Sequence, residues 1–237
     1  MTVLALEFSS AQRSVAVLDL KEGGAPPWPE KDGAMTRPRP PARIAEAIEA
    51  GAGGTNAFSL IEKALAEAGR AREQIEVIVV GVGPGSYSGI RVAISLAQGW
   101  QLAFAGVKLL GVSSAECLAA QAQTEEIFGR VNVVIDAQRN EFYLASYEIS
   151  PRGWKETKPL RIVSLAEMRT LAEAGENWVG PDLTRWLPKG TILFPTAVTL
   201  GWLASGRNDF VSGDKLAPIY LRETNFIKAP SLNPVAL

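Results

Sequence analysis

The sequence predicts an α/β protein made of two related lobes that face each other across a cleft. Three observations carry that prediction. The segments LALEFSSAQRSVAVLDL and VVIDAQRNEFYLASYEI share one plan of strand, acidic residue, polar turn and strand, with Glu7 and Asp136 at the same point in each. Each hairpin is followed by short apolar runs that alternate with helical periodicities, as expected of β-α units. Finally, 237 residues of which 47% are hydrophobic suffice for one large domain or two small lobes with a proper core.

Taken in order, residues 3–6 and 14–20 read as strands, with Val15 and Val17 alternating against Ala16 and Leu18 across the SSAQR turn. Residues 21–56 are punctuated by proline pairs and glycines and carry Arg37, Arg39 and Arg43. This stretch reads as a solvated loop insertion with a short helix over 43–50; an arm touching RNA or a partner is the alternative. Phe58, Ile61, Leu65 and Ala68 recur at helical spacing and Gly69 supplies a stop. EVIVVG over 76–81 is apolar throughout, as in a strand buried on both faces. After the glycine-rich GVGPGSYSG comes a helix marked by Ile90, Ala93, Ile94, Ala97, Gln101 and Phe104, then a strand over 107–111. Ser113 and Glu116 form a capping box for the helix of Cys117, Leu118 and Gln121.

The second half repeats the scheme. Strands over 131–136 and 142–149 flank AQRNE, and Ser164 with Glu167 caps a helix containing Leu165, Met168 and Leu171. A strand over 178–180, a helix over 199–205 and the segment PIYLR complete it. The expected boundaries are a first lobe over 1–106 (with the 21–56 insertion), a second over 107–225 and a flexible tail over 226–237.

Composition excludes several function classes. Lys+Arg number 24 against 25 Asp+Glu, so this is not a strongly basic nucleic-acid binder, and no basic stripe or aromatic platform for RNA is visible. There is no histidine, which removes the Ser-His-Asp triad, the Cys-His pair and the HExxH zinc site. The lone Cys117 cannot form an intramolecular disulfide and reads as a buried structural thiol of a reducing, cytoplasmic compartment. The longest apolar-leaning stretch, 92–110, is broken by Ser95, Gln98, Gln101 and Lys108. A bilayer span needs about 20 predominantly apolar residues, so no membrane partner is expected.

The loop of residues 81–91, GVGPGSYSGIR, joins a buried strand to a helix, with Pro84 stiffening the turn and Ser86 or Ser88 placed to cap. It lacks the Gly-Lys-Ser/Thr ending of a phosphate-binding P-loop and the third glycine of a dinucleotide fingerprint. A generic turn, an anion site at the helix N-terminus and an interface element remain as its readings.

GVGPGSYSGIRVAISLAQGWQLA, LLGVSSAECLAAQA, VVIDAQRNEFYLASY and APIYLR, in this order, resemble the TsaB family. Those proteins are the actin-like, non-catalytic partners in bacterial tRNA threonylcarbamoyladenosine synthesis. The resemblance covers residues 2–20 and 56–222; the 21–56 stretch departs from it. It implies a two-lobed actin-like ATPase (ASKHA, ribonuclease H-like) fold with a duplicated β-sheet plus helices. It also implies the role of a pseudoenzyme: a scaffold or activating subunit for a TsaD-like catalytic subunit. That enzyme transfers threonylcarbamoyl from its adenylate to N6 of an adenine beside the anticodon.

The same resemblance sets expectations for individual residues. TsaD-like members hold a metal through an HxxxH pair, which a chain without histidine lacks. Glu7 with Ser9, and Asp136 with Arg139, occupy the strand ends where actin-like ATPases approach Mg-phosphate. The plain alternative is that each carboxylate caps its own turn or pairs with a neighbour such as Arg13 or Arg139. The glycine pair that would cradle adenosine falls near Gly180, where VGPDLTRW offers one glycine followed by Pro181. No tightly bound cofactor is therefore expected, and ATP or ADP only within the complex.

The glycine loop is represented by Gly83, Pro84, Gly85, Ser86 and Gly89. The partner surface falls on the first-lobe helices, at Phe58, Ile61, Ala64 and Leu65 and at Ala93, Ala97 and Trp100, whose small residues permit close helix approach or else pack on the protein's own sheet. Expected partners are the TsaD-like subunit, a TsaE-like ATPase in the complex, a second copy when alone, and tRNA indirectly. A small-molecule kinase or ATPase of the same fold using Glu7 or Asp136 is the rival reading. A glycoprotease-like peptidase fails for want of a base or an activated nucleophile.

Overall fold

The apolar runs pair into two five-stranded sheets in a computed structural model that describes residues 1–20, 42–51, 56–205 and 207–221. The first sheet contains β1 (Thr2–Glu7), β2 (Gln12–Asp19), β3 (Ala42–Ala50), β4 (Val77–Gly81) and β5 (Lys108–Val112), in the order β3-β2-β1-β4-β5. The second contains β6 (Gly129–Asp136), β7 (Glu141–Ser150), β8 (Gly153–Ser164), β9 (Asn177–Gly180) and β10 (Thr191–Ile192), in the order β10-β9-β6-β7-β8. Read from its opposite edge, the second sheet repeats the first strand for strand. In each, three antiparallel strands are extended by parallel ones. The repeated strand-turn-strand segments are thus equivalent hairpins, with Leu6 opposite Val15 and Ile135 opposite Tyr143.

Five helices cover and separate the sheets: α1 (Ala57–Ala68), α2 (Tyr87–Ala103), α3 (Ser114–Thr124), α4 (Leu165–Ala172) and α5 (Ala197–Leu203). Alternation along β1 and β4 divides their side chains between two cores. Leu4, Leu6, Ile78 and Val80 meet Ile61, Ala64 and Leu65 of α1 and Ile90, Ala93 and Ala97 of α2. Val3, Ala5, Val77 and Val79 meet Ala197 and Leu200 of α5 and Cys117 of α3. The far side of α3, through Ala115, Leu118 and Ala119, packs on Val131, Val133 and Ala145 of the second sheet. On that sheet's outer face Val134, Phe142 and Leu144 bury Met168 of α4. The result is a layered α/β sandwich in which α3 and α5 lie between the sheets. Gly69 ends α1 at φ 61°, and the Oγ of Ser164 accepts the Glu167 amide at 3.1 Å. At α3 the Ser113 Oγ accepts from the Ala115 amide at 3.2 Å.

Three expectations change. The segment expected as a helix over 43–50 is strand β3. Its Ala and Glu favour helix locally, but β2 would otherwise leave an unpaired edge, and Ala45 and Ala47 alternate inward against it. Strand β8 was not expected at all. It is a sheet edge whose KETK stretch is exposed, and Pro159 sits where the pairing with β7 is irregular. The first sheet also extends past residue 106, since β5 belongs to it. The chain then returns to this sheet near its end: Val211 bridges Leu109, and the Ile219 amide donates to the Val82 carbonyl at 2.9 Å. Arg37, Arg39 and the tail from 226 lie outside the described residues. Among the described residues no helix is long and apolar enough to cross a membrane.

Candidate functional site

Each hairpin turn begins with a carboxylate that folds back on its own backbone. Glu7 Oε1 accepts from the Ser9 amide at 2.7 Å, and Asp136 Oδ1 accepts from the Gln138 amide at 2.7 Å. Asp136 Oδ2 also accepts from Gln138 Nε2 at 3.1 Å. The two acids therefore cap their turns, which was the plain alternative to a nucleotide-handling role. Their surroundings differ. Glu7 is fully buried, and its second oxygen accepts from Ser114 Oγ at 3.2 Å. Burial pushes its carboxyl pKa up, against the opposing effect of the bonds from Ser9 and Ser114. Asp136 is half-buried and opens to the cleft.

The cleft between the lobes has a volume of about 1000 Å³. Ser9, Ser10, Arg13, Gly85, Ser86 and Tyr87 line it from the first lobe, and Asp136, Gln138, Arg139, Tyr143, Asp182, Arg185 and Trp186 from the second. Ile219 and Tyr220 of the returning chain end complete the wall. Ser9, Asp136 and Arg139 line the cleft, whereas Glu7 lies beneath it. The second-lobe wall also concentrates unusual backbone. Gln138, Arg139 and Asn140 adopt φ of 65°, 60° and 60°, and Asp182 has φ 51°. Such left-handed non-glycine residues are costly and persist where surrounding structure enforces them.

The glycine loop braces the first lobe. A Cβ on Gly85 would fall 2.1 Å from the Ser9 carbonyl oxygen, and one on Gly89 2.0 Å from that of Phe8. Only glycine lets the loop and the start of α2 approach the β1-β2 turn this closely. Two amides of the loop are engaged within the chain: that of Ser86 on the Ser9 carbonyl at 2.6 Å and that of Gly89 on Ser86 Oγ at 3.3 Å. The Gly83-Pro84 peptide is cis, and the Gly83 carbonyl accepts from the Ser114 amide at 2.8 Å. Gly180 serves a similar close contact. Its Cβ would lie 1.9 Å from the Val134 carbonyl oxygen, so only glycine permits this β9-β6 approach.

The residues expected to form a partner surface separate into two groups. Ile61, Ala64, Leu65, Ala93 and Ala97 are buried in the protein's own core, so their small side chains serve packing on the first sheet. Trp100 is half-buried and tilts against Phe104 at a centroid distance of 6.2 Å. Phe58 does face outward, 70% exposed, and two residues missed from sequence, Val92 and Leu102, are exposed on α2, the latter 89%. They sit on the exposed side of α2 among Ser88, Arg91, Ser95 and Gly99, where no apolar periodicity marks them.

Also missed was a cluster at the mouth of the cleft. Tyr87 and Tyr220 stack with centroids 5.7 Å apart and an interplanar angle of 30°. Arg91 donates from Nη1 to Tyr87 Oη at 2.7 Å and lies 5.1 Å from that ring's centroid. Cys117 is buried, its thiol 3.6 Å from the Thr196 carbonyl, and burial with the nearby Glu7 pushes its pKa well up. A thiol so placed is inert. Among the described residues no group of three or more Cys, Asp or Glu could hold a metal ion.

These features define a two-lobed α/β protein of the TsaD type: the TsaD family, tRNA N6-adenosine threonylcarbamoyltransferase, matches residues 54–224. The tRNA threonylcarbamoyladenosine biosynthesis protein TsaB of Escherichia coli K12 is 30% identical over 183 residues, covering 69% of this chain and 78% of that relative. The protein of the same description from Buchnera aphidicola is 25% identical over 164 residues, 63% of this chain and 74% of its own. The chain belongs to the TsaB family. The fold agrees with the crystal structure of a Pseudomonas aeruginosa protein with similarity to the peptidase YeaZ. That structure covers 93% of this chain and 99% of its own, at a TM-score of 0.69 and 24% identity.

Proposed function

We propose that this chain is a non-catalytic scaffold or activating subunit of a TsaD-like threonylcarbamoyl transferase, acting in tRNA threonylcarbamoyladenosine biosynthesis. The observation that carries the reading is that both acidic residues of the hairpin turns, Glu7 and Asp136, are spent on capping those turns. In a chain without histidine, the carboxylates left facing the cleft are Asp136, held by Gln138, and Asp182, and among the described residues no group of three or more Cys, Asp or Glu could hold a metal ion. Relatives named for threonylcarbamoyladenosine biosynthesis support the pathway. The partner surface is the outward face of α1 and α2, through Phe58, Val92 and Leu102. The catalytic subunit docks there, or a second copy of this chain when that subunit is missing, and a TsaE-like ATPase joins the assembled complex. On this reading the chain alone holds no tightly bound nucleotide, and ATP or ADP belongs to the complex. The setting is cytoplasmic.

The test is threonylcarbamoyladenosine formation on tRNA by the catalytic subunit from the same source and the remaining pathway components, with and without this chain. Product that depends on the chain is expected. Unchanged product together with no association between the chains overturns the reading. The cleft itself favours a second reading, a small-molecule kinase or ATPase, and tight Mg-ATP binding by the isolated chain would establish it. A peptidase, suggested by the similarity attributed to the Pseudomonas protein, has no support here, where Cys117 is buried and no histidine exists.

A further inference from the structure

The mouth of the cleft carries an aromatic and cationic arrangement that the scaffold role does not use. On the first lobe, Tyr87 and Tyr220 are stacked although 60% and 50% exposed. Arg91 lies against Tyr87 and interacts with both phenols. On the second lobe, Arg185 lies 5.4 Å from the ring centroid of Trp186. Arg13 and Arg139 line the same opening, and the Asp136 carboxylate there is already engaged by Gln138. Two aromatic-guanidinium pairs therefore border one opening, one on each lobe.

We infer that this mouth is a binding site for unpaired RNA nucleotides, whose bases stack on the exposed Tyr87 and Tyr220 rings while their phosphates meet the arginines. Stacking on aromatic and guanidinium planes is the usual way proteins hold single-stranded RNA, since unpaired bases offer their faces and paired ones do not. A free nucleoside triphosphate fits less well, because its phosphates would ask for convergent amides or a carboxylate-held metal. The Ser86 amide, Glu7 and Asp136 are all engaged in contacts within the chain. The inference rests on the proposed role in tRNA modification and adds to it a direct contact with the RNA, where sequence alone suggested only an indirect one.

The probe is an anticodon stem-loop RNA carrying 2-aminopurine in place of the adenine beside the anticodon, titrated with the full chain alone and bound to its catalytic partner. Stacking should quench the fluorophore. The Tyr87→Leu, Tyr220→Leu double variant should bind about ten-fold more weakly, with its thermal midpoint unchanged, while Tyr220→Phe should bind normally because it keeps a stacking ring. Arg139→Gln should reduce the slope of log affinity against log salt by about 0.7, as for one phosphate contact on a single strand. Equal binding of the stem-loop by wild type and double variant overturns the inference, as does equal affinity for a fully paired RNA or for free ATP. Product formation measured on the same samples separates the two ideas. If wild-type chain fails to stimulate product, the scaffold reading fails; if it stimulates and the double variant binds RNA normally, only this inference does.

Discussion

The two lobes share a sheet and differ in what they hang on it. In the first, β4 runs into the glycine loop and the 17-residue α2. At the equivalent point of the second, β9 runs into Gly180, Pro181 and Asp182 and then a single 3-10 turn, Leu183–Arg185. The first lobe consequently shows solvent two helices with protruding Phe58, Val92 and Leu102, whereas the second is covered there by the short α4. The paired carboxylates diverge in the same sense, Glu7 sealed under α3 and Asp136 facing the cleft. Strand order is held by a hydrogen-bonding plan that tolerates little variation, while the connections are free to specialise. A partner surface is therefore expected on the lobe with the longer connections.

Substitutions at equivalent places should sharpen this contrast. The largest effect is expected at the glycine brace. Gly89→Val drives a side chain into the Phe8 carbonyl, costing about 3 kcal/mol and lowering the thermal midpoint by roughly 10 °C. Its second-lobe counterpart behaves oppositely: Asp182→Gly relieves a left-handed residue and should stabilise by about 0.5–1 kcal/mol, measurable in urea. Next in size is the surface itself. Val92→Glu with Leu102→Glu should weaken association with the catalytic subunit by at least ~10-fold, as read by calorimetry, without altering the melting of the chain alone. The same charge on the exposed face of α4, as Thr170→Glu, should leave association unchanged. An equal loss from both lobes would remove the asymmetry argument.

The remaining effect concerns Glu7. Burial raises its pKa above the ordinary 4.5, so the folded chain holds this proton more tightly than the unfolded one does. The resulting stability is fully present below the unfolded value and is lost as pH rises through the folded one. Glu7→Gln can still accept from the Ser9 amide and can donate to Ser114 Oγ. It should abolish that decline and raise the neutral-pH midpoint by about 2–4 °C, or ~1 kcal/mol. A melting series from acid to neutral pH that shows parallel curves for the two proteins would contradict this.

Much of the architecture was legible because it is local or repeated. The period-two runs of β1, β2, β6 and β7, and the carboxylates at their ends, announced the duplicated hairpin. Strands β3 and β8 were not legible because edge strands need bury little: one is rich in alanine and glutamate, the other in exposed charge. The outward residues Val92 and Leu102 of the first-lobe helix α2 were missed for a related reason. Periodicity identifies the face of a helix that packs inward, so Ala64, Ala93 and Ala97 answered to the core beneath them. No sequence pattern joins Tyr87 to Tyr220; only the return of the chain end across Val82 brings them together.

That the sheets share α3 has a mechanical consequence. Neighbouring residues of this helix, Cys117 and Leu118, are fixed in opposite cores. Rotating one lobe against the other would pull one of them out of its contacts, so the width of the cleft is set by the same packing that keeps the chain folded. The lobes should accordingly lose their protection from hydrogen exchange together, as one cooperative unit, and a partner that grips the first lobe will also hold the wall contributed by the second.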